Sequence, residues 1–198
     1  MTSSTATTAT RDRLLDAAMH LFGEQGFRGT SVAAIERAAG LTPGAGGLYH
    51  HFRSKDAVLA AGLERHLAKL GALRDIRRLF AGIGDLGVEL TLTARYVLTQ
   101  LDAESELLQV LFTEARRRPD LVQGAVTTLV DSTYAEFATW LSTDWDVPPD
   151  RAQSVAAIAL GSLISHRLLR LFLPAGTAVA DDDTFVLMWV DTFRRALQ

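Results

Sequence analysis

The chain has 198 residues, 48% of them hydrophobic, with a formal net charge of −3 and no cysteine. This length and hydrophobic content allow one large domain or two small ones with a substantial core. The absence of cysteine excludes a disulfide framework, a cysteine-based zinc site and a thiol nucleophile. The composition suits an all-helical soluble protein, and the lack of cysteine is compatible with the cytoplasm that we expect for it.

The N-terminal segment differs in charge from the rest of the chain. The first 55 residues hold six arginines and lysines against four acids, which makes this segment +2 and the remainder −5. A basic module on an acidic body is typical of a small DNA-binding head. We expect residues 1–9 to be a disordered tail, because this Ser, Thr and Ala stretch has neither the basic start nor the apolar core of a signal peptide.

Residues 10–70 predict four helices. Apolar residues at helical spacing predict the first helix over about residues 11–25, and Gly26 ends it. The second helix is expected over residues 31–39 and a short third helix over 46–52. The fourth begins after Ser54, a capping residue, and carries an apolar stripe that links the head to the body.

The second and third helices are joined by a turn rich in glycine and proline, which occupies residues 42–47. The third helix presents Tyr49 and His50 on one side, and Leu48 and Phe52 on the other. Two short helices joined in this way predict a helix-turn-helix, and its exposed face is polar, aromatic and basic. A reader of the DNA major groove needs such a face.

The body is predicted to contain five further helices from its apolar spacing, and proline or acidic residues mark the starts of the last three. They are expected at about residues 86–101, 104–117, 119–141, 148–172 and 181–195. The apolar run within the fourth contains serine, histidine and arginine at its centre, which a membrane span should not carry. We therefore expect a buried helix and no membrane partner.

Residues 10–70 resemble the N-terminal domain of the TetR family of bacterial transcriptional regulators. The matching residues are Leu14 to Ala18, Leu21 and Phe22, Gly26 and Phe27, Thr30 to Val32, Ile35, Ala38 to Gly40, Leu48 to Phe52 and Ser54 to Leu59. The resemblance implies an all-α fold of about nine helices. It implies a DNA-binding domain over 10–70, with the helix-turn-helix at 31–52, and an effector-binding and dimerisation domain over 71–198.

Two features depart from the commonest pattern of this family. The gap between Gly40 and Leu48 is two residues longer, so the residues between them lengthen the turn or add a turn to the third helix. Glu36 stands where a small alanine is usual. A carboxylate at this place is expected either to pair with a neighbouring arginine or to point outward.

The resemblance and the chemistry of the turn together give a set of candidate DNA contacts. These are Arg28, Thr30, Ser31, Thr42, Pro43, Gly44, Ala45, Gly46, Gly47, Tyr49, His50 and Lys55. In the family, the positions of Tyr49 and Lys55 serve phosphates, which set register rather than sequence. His50 is placed to reach a base edge or a phosphate. The small residues of the turn allow close approach and direct backbone N–H groups at a phosphate.

Each of these contacts has a plainer alternative. Tyr49 would be a half-buried aromatic that packs on the first helix, His50 a solvated side chain, and the turn a loose connection. Lys55 and its neighbours before the second helix would be caps or solvated charges. We expect His51 to pack inward. We expect no metal or cofactor to bind: His50 and His51 are adjacent helical residues, whose side chains diverge, and no third metal ligand is evident. The arginines at 116–118 are expected to serve a helix C-terminus rather than DNA.

The family also encloses a small-molecule cavity between the middle helices of the body and dimerises through the last two. The candidate ligand residues are Tyr96, Phe112, Tyr134, Phe137, Trp140 and His166, each with plain core packing as its alternative. The candidate interface residues are Ala159, Ser162, Phe185, Met188, Trp189 and Phe193. The alternative is a monomer whose C-terminal helices complete its own core.

The sequence therefore predicts a homodimeric regulator, a repressor, that binds a palindromic DNA operator and is released by a small lipophilic or aromatic effector. The alternative is an all-helical enzyme or interaction scaffold with a vestigial helix-turn-helix. We expect no enzymatic activity, because the chain has no phosphate-binding glycine loop, no metal-ligand spacing and no nucleophile motif.

Overall fold

A computed structural model describes residues 2–70, 83–114, 116–173 and 180–197. The regular elements within these ranges are all helices. They are α1 (Thr2–Gly29), α2 (Val32–Ala38), α3 (Lys55–Leu70), α4 (Leu86–Ala103), α5 (Ser105–Glu114), α6 (Pro119–Asp144), α7 (Pro149–Phe172) and α8 (Asp182–Leu197). The all-α prediction is confirmed. The described ranges hold eight helices against about nine predicted, and the difference is the short third helix of the head.

The chain forms two compact units. Unit 1 contains residues 1–69 and 106–126, and unit 2 contains residues 70–105 and 127–198. The sequence predicts one continuous second domain from residue 71, whereas almost all of α5 and the start of α6 belong to unit 1. Two acids of α5 contact α1: Glu106 lies 2.9 Å from the ring nitrogen Nδ1 of His20, and Oε1 of the buried Glu114 accepts a hydrogen bond of 3.2 Å from the amide of Phe27.

Helix α1 is longer than the sequence predicts. It begins at Thr2, so residues expected to form a disordered tail are helical instead. This segment consists of serine, threonine and alanine. It contains no glycine or proline that would interrupt a helix extending from the packed part of α1. Gly26 interrupts the helix as predicted, because its φ of 72° and ψ of 162° depart from helical geometry. Phe27 then packs on Phe22, with ring centroids 5.1 Å apart.

The core of unit 1 is built from the apolar stripes predicted for the head. The fully buried side chains are Leu14, Leu15, Ala18, Met19, Phe22, Ile35, Leu48, Val58 and Leu59. Each large side chain of this kind stabilises the fold by roughly 1.5–3 kcal/mol relative to an exposed one. The core therefore holds α1, α2, α3 and the segment around residue 48 in a fixed arrangement.

Capping residues set where the head helices begin. Ser31 precedes α2, and its hydroxyl accepts a hydrogen bond of 3.1 Å from the amide of Ala34. Ser54 does the same for α3 through the amide of Ala57, also at 3.1 Å. Both caps confirm the predicted starts, since a serine side chain satisfies an amide that lacks a partner in the first turn.

Unit 2 is organised by α4, α7 and α8, which contact one another. The indole N–H of Trp189 on α8 donates to the carbonyl of Ala159 on α7 at 3.1 Å and lies 3.0 Å from the hydroxyl of Ser162. Helix α7 is long and apolar enough to cross a membrane by length and composition alone. However, it carries His166 and Arg167 in buried positions, and both contact α8.

Candidate nucleic-acid interface

The predicted third helix is a series of turns over residues 47–51 rather than an α-helix. The amide of Tyr49 donates to the carbonyl of Gly46 at 3.0 Å, and the amides of His51 and Phe52 both donate to the carbonyl of Leu48 at 3.0 Å. The prediction of a regular helix here was wrong. Gly44 and Gly46 have positive φ angles of 78° and 77°, which leave too few residues for helix propagation.

The segment nevertheless has the two-sided character that the sequence predicts. Tyr49 is 58% exposed and His50 is exposed, whereas Leu48 is fully buried and Phe52 is 6% exposed. The turn residues from Thr42 to Ala45 are exposed as well. The segment thus offers a phenol, an imidazole and a small-residue backbone to a partner, while its leucine anchors it to the core.

Glu36 lies beneath this turn with its side chain fully buried. Its Oε2 accepts a hydrogen bond of 2.6 Å from the amide of Gly44, and its Oε1 accepts one of 3.0 Å from the amide of Leu48. These backbone amides, with that of Gly47, lower the pKa of Glu36 although burial opposes the shift. The expectation of an arginine partner or an outward carboxylate is therefore corrected.

This contact also changes how the turn can meet DNA. The sequence predicts that the amides of the turn point at a phosphate, but those of Gly44 and Leu48 donate inward to Glu36. Because a backbone amide has one hydrogen to donate, these two are not available to a phosphate. The exposed side chains of Thr42, Tyr49 and His50 remain as groups that can contact a partner.

Lys55 begins α3, and its ammonium group is largely engaged inside the protein. Its Nζ donates to the carbonyl of Phe27 at 2.6 Å and to that of Thr30 at 2.7 Å. The same atom lies 4.2 Å from the centroid of the Phe27 ring. Burial, followed by the nearby Arg118, lowers the pKa of Lys55. One of its three N–H groups is left for a phosphate, and that contact stays a prediction.

The other candidates between α1 and α2 have unequal access to a partner. Thr30 is 1% exposed, and its hydroxyl lies within hydrogen-bond distance of the carbonyls of Leu21 and Gly26. Its side chain therefore serves the fold, which corrects its place among the DNA contacts. Ser31 is exposed although it caps α2, and Arg28 is exposed.

Two residues of the 114–118 region belong to the head although the sequence separates them from it. Glu114 is fully buried, and its Oε1 accepts a hydrogen bond of 3.2 Å from the amide of Phe27. The guanidinium of Arg118 lies 3.8 Å from the Phe27 ring centroid and pairs with Asp56. Sequence reasoning assigned the arginines only to a helix end, because nothing local signals a contact across sixty residues.

The predicted ligand residues are distributed over both units. Phe112 is 54% exposed in unit 1, whereas Phe137, Trp140 and His166 are buried in unit 2. The rings of Phe137 and Trp140 pack with centroids 5.1 Å apart, and the ring of His166 stacks on that of Phe185 at 3.9 Å. These contacts favour core packing for the buried residues. Tyr96 and Tyr134 are partly exposed.

A cleft of about 390 Å³ in unit 2 lies elsewhere. It is lined by Gly84, Asp85, Leu86, Trp145, Arg194 and Leu197, and so by none of the six predicted ligand residues. Among the residues that the structure describes, no group of three or more His, Cys, Asp or Glu side chains could hold a metal ion.

The predicted interface residues also separate by burial. Ala159, Trp189 and Phe193 are buried within unit 2, and Ser162 and Phe185 are partly exposed. Met188 is 60% exposed. The buried three are corrected to core positions, because their surface is already covered by their own chain. The exposed apolar side chains on α7 and α8 that sequence reasoning missed are Ile158, Leu169, Phe172 and Leu187.

Comparison with known proteins places the head among bacterial regulators. The model of the bacterial regulatory proteins of the tetR family matches residues 14–61. The HTH-type transcriptional regulator UidR of Escherichia coli (strain K12) is 44% identical over 64 residues, which are 30% of this chain and 32% of that protein. The HTH-type transcriptional repressor KstR2 of Rhodococcus jostii is 45% identical over 67 residues, 33% of this chain and 32% of that protein.

The matched region therefore spans about a third of the length of these curated relatives. The fold extends further. The solved structure of a transcriptional regulator from Rhodococcus sp. Rha1 has a TM-score of 0.71, covers 94% of this chain and 96% of that chain, and is 21% identical in sequence. At that identity the likeness concerns the fold alone.

The helical architecture and the two-sided turn of the head define a protein of the helix-turn-helix class. The turn, the cap at Ser54 and the buried residues of α1 and α3 between Leu14 and Leu59 lie within the residues that the family model matches. Over residues 14–61 the chain matches the TetR family of bacterial regulatory proteins.

Proposed function

We propose that this protein is a transcriptional regulator that binds double-stranded DNA through the exposed face of its head. The observation that carries the proposal is the turn over residues 42–50, where Tyr49 and His50 are exposed and Leu48 holds the segment on a fully buried core. A rigidly anchored segment with exposed polar side chains is what groove recognition requires. The family model over residues 14–61 and the similarity to proteins named as HTH-type transcriptional regulators and repressors support it.

The first test is fluorescence-anisotropy binding of the full chain to the DNA upstream of its own gene, with a scrambled duplex as competitor, at two salt concentrations. We expect a preference of about 10³-fold or more and a steep loss of affinity with salt. A selection from a random duplex library covers an operator that lies elsewhere. Equal, salt-insensitive binding to all duplexes in both experiments would overturn the proposal.

Matched variants assign the contact to the turn. Tyr49→Phe removes only a hydroxyl, and His50→Ala removes an exposed ring, so both should weaken DNA binding without destabilising the fold. Gln25→Ala alters an exposed residue of α1 outside the turn and serves as the control. We expect unchanged thermal stability in all three and weaker DNA binding in the first two only. Equal affinity of all three would remove the turn from the interface.

The second part of the proposal is a homodimer formed through α7 and α8. Ile158, Leu169 and Leu187 are 65%, 46% and 70% exposed on these helices, and exposed large apolar side chains favour a protein interface. A two-fold dimer would place two heads about 34–36 Å apart, on successive major grooves of a palindromic operator.

Light scattering tests the dimer in solution. We expect twice the chain mass of 21.5 kDa for the wild type. Leu187→Glu should reduce the mass to that of a monomer, whereas Val88→Glu, a control at a 43% exposed apolar residue of α4, should not. A wild-type mass of 21.5 kDa would overturn this part.

The third part is repression relieved by a small lipophilic or aromatic effector, in the cytoplasm. Support comes from the aromatic residues of unit 2: Tyr96 and Tyr134 are partly exposed and so accessible to a small molecule, whereas Phe137 and Trp140 are buried. A coupling of about 1–3 kcal/mol between effector and DNA is enough for release. A screen of lipophilic and aromatic compounds against the protein–DNA complex tests it, and Tyr134→Ala should weaken the response to a hit.

A further inference from the structure

We propose that Glu36 is a positioning residue for DNA reading: its buried carboxylate fixes the backbone between Gly44 and Leu48, and thereby the direction in which Tyr49 and His50 meet the duplex. The preference for particular DNA sequences, and not only stability, would then depend on Glu36. The inference rests on the proposed DNA-binding function and deepens it, because it names the residue that shapes the reading surface.

The carboxylate holds both ends of the irregular part of the turn. One oxygen accepts the amide of Gly44 at 2.6 Å and the other accepts the amide of Leu48 at 3.0 Å. The backbone carbonyl of Glu36 also accepts the amide of Leu41 at 2.8 Å, where the turn leaves α2. Three contacts from one residue therefore define where the segment begins, bends and ends.

The turn is also restrained by the buried side chain of Leu48 and by a hydrogen bond of 3.3 Å from the amide of Ala45 to the carbonyl of Thr42. Gly44 and Gly46 have left-handed φ angles, and a side-chain carbon added at either would meet no atom within 4 Å. Gly47 differs, because a carbon there would lie 3.1 Å from Leu41 Cδ1 and 3.7 Å from Oε1 of Glu36. Glycines without neighbours permit many backbone conformations, so the inner contacts to Glu36 select one of them.

The path of the turn also determines the positions of the exposed side chains that follow it. The amide of Tyr49 donates to the carbonyl of Gly46 at 3.0 Å, so the position of Tyr49 follows the path of the glycines. His50 is the next residue along the chain. A shift of the turn would move both side chains together relative to the base edges and phosphates they are proposed to contact.

The charge of Glu36 is balanced by backbone amides rather than by a cation. Among the residues that the structure describes, no lysine, arginine or histidine forms an ion pair with Glu36, and the backbone amides lower its pKa. A glutamine at this position keeps the shape of the side chain but turns an N–H₂ group toward a backbone N–H. Glu36→Gln therefore loses one of the two hydrogen bonds and places two N–H donors against each other, with almost no change in side-chain volume.

The first experiment measures amide hydrogen exchange in the full-length protein without DNA. In Glu36→Gln we expect the amides of Gly44 and Leu48 to exchange about tenfold faster or more, while those of α1 and α3 keep their protection. Ile35→Val is the control, because it alters the neighbouring buried residue of α2 without touching the turn. Unchanged exchange at Gly44 and Leu48 in Glu36→Gln would overturn the inference.

The second experiment selects binding sites from a random duplex library with the same three proteins. We expect Glu36→Gln to change the selected sequence or to lower the ratio of specific to non-specific affinity by about tenfold. The salt dependence of non-specific binding should stay unchanged, since no phosphate contact is removed. Gly44→Ala, which strains the same backbone without removing a buried charge, should change the preference as well.

The outcomes of these experiments distinguish failure of this inference from failure of the proposed DNA-binding function. A wild-type protein that selects no sequence would overturn the proposed function and this inference with it. A wild type that selects a site, with Glu36→Gln and Gly44→Ala selecting the same site at the same affinity ratio, would overturn the inference alone. Loss of preference in Ile35→Val to the same degree would also overturn it, since stability would then account for the effect.

Discussion

The turn of the head and the contact between α7 and α8 in unit 2 hold charged side chains in different ways. In the head, Glu36 accepts backbone amides and Lys55 donates to backbone carbonyls. Where α8 meets α7, charges bind charges: Asp182 on α8 lies 3.1 Å from Nη2 of Arg167 and 2.8 Å from Nη1 of Arg170. His166 approaches the same carboxylate at 3.0 Å.

The difference follows from what each charge has to fix. A charged side chain bound to backbone groups determines the path of an irregular segment, because each amide or carbonyl it binds has a fixed place in the chain. A charged side chain bound to another side chain holds one regular helix against another. The head thus uses charge to shape a turn and a helix end, whereas unit 2 uses it to attach α8 to α7.

The comparison is tested most strongly by Arg167→Met, which removes the cation of unit 2 and keeps an apolar stem. Arg167 is 8% exposed, and its Nε lies 3.0 Å from Oδ1 of Asp102 as well. We expect a loss of about 3 kcal/mol in unfolding free energy, because the carboxylate of Asp182 is left without its buried guanidinium partner. Urea unfolding measures it.

The matched control is Arg95→Met, which breaks the ion pair of Arg95 with Asp183, another arginine–α8 contact. Both of its partners are more than half exposed, so we expect a loss of about 0–1 kcal/mol. Equal losses in the two variants would mean that burial of Arg167 contributes nothing, and that unit 2 is not held together in the way proposed.

A smaller effect is expected from Lys55→Met in the head. The variant removes two hydrogen bonds from the ammonium group to the carbonyls of Phe27 and Thr30, and we expect a loss of about 1.5 kcal/mol, since the group is partly exposed. The salt dependence of DNA binding should fall by less than the roughly 0.9 expected for a full phosphate contact. Arg53→Met, at an exposed neighbour, should leave stability unchanged. A full loss in the salt slope with unchanged stability would identify Lys55 as a phosphate contact alone.

Two threonines sharpen the distinction between shaping the head and meeting DNA. Thr30 is buried with its hydroxyl near two carbonyls, whereas Thr42 is exposed in the turn. We expect Thr30→Val to cost about 1 kcal/mol of stability and to leave DNA sequence preference intact. Thr42→Val should weaken DNA binding without changing the melting temperature. The reverse pattern would exchange the two roles.

The smallest expected effect is a loss of stability at acidic pH. The amides of Leu48, Gly44 and Gly47 lower the pKa of Glu36. Burial opposes the lowering of the pKa of Asp182, but His166, Arg167 and Arg170 outweigh it. A lowered pKa in the folded state contributes stability that is present above the ordinary carboxyl range, near about pH 4, and is lost as pH falls through the folded pKa.

Urea unfolding from neutral pH to about pH 3 checks this, with Glu36→Gln and Asp182→Asn as variants. The stability difference between wild type and each variant should be constant near neutrality and shrink below about pH 4. Added salt should reduce the contribution of Asp182, whose side chain is 41% exposed, more than that of the buried Glu36. Differences that persist unchanged in acid would show that neither charge stabilises the fold.

Much of the fold follows from local patterns in the sequence. The apolar spacing of α1 and the serine caps at Ser31 and Ser54 predict the head helices that the structure contains, because each signal acts within one or two helical turns. The same holds for α7 and α8, whose starts carry Pro149 and Asp182. Where prediction failed, the deciding contact lay outside that range.

The candidate interface shows the same division. The sides of the turn follow from the alternation of Leu48 with Tyr49 and His50, and the structure confirms them. The sequence signals that accompany the Glu36 contact are an acid in α2 and an excess of glycines eight residues later. These signals do not by themselves predict the contact. In the structure the amides of Gly44 and Leu48 both donate to the carboxylate of Glu36.

The sequence by itself determined that this protein is helical, where most helices begin, and that its head carries the residues of a TetR-family helix-turn-helix. Only the tertiary structure decided that Thr30 is buried, that Lys55 holds the end of α1, that Glu114 and Arg118 join the head, and that Glu36 shapes the turn. The physical reason is the distance along the chain over which each interaction acts. Propensity and capping act between near neighbours, whereas burial and the pairing of a charge depend on which distant groups the packed core brings together.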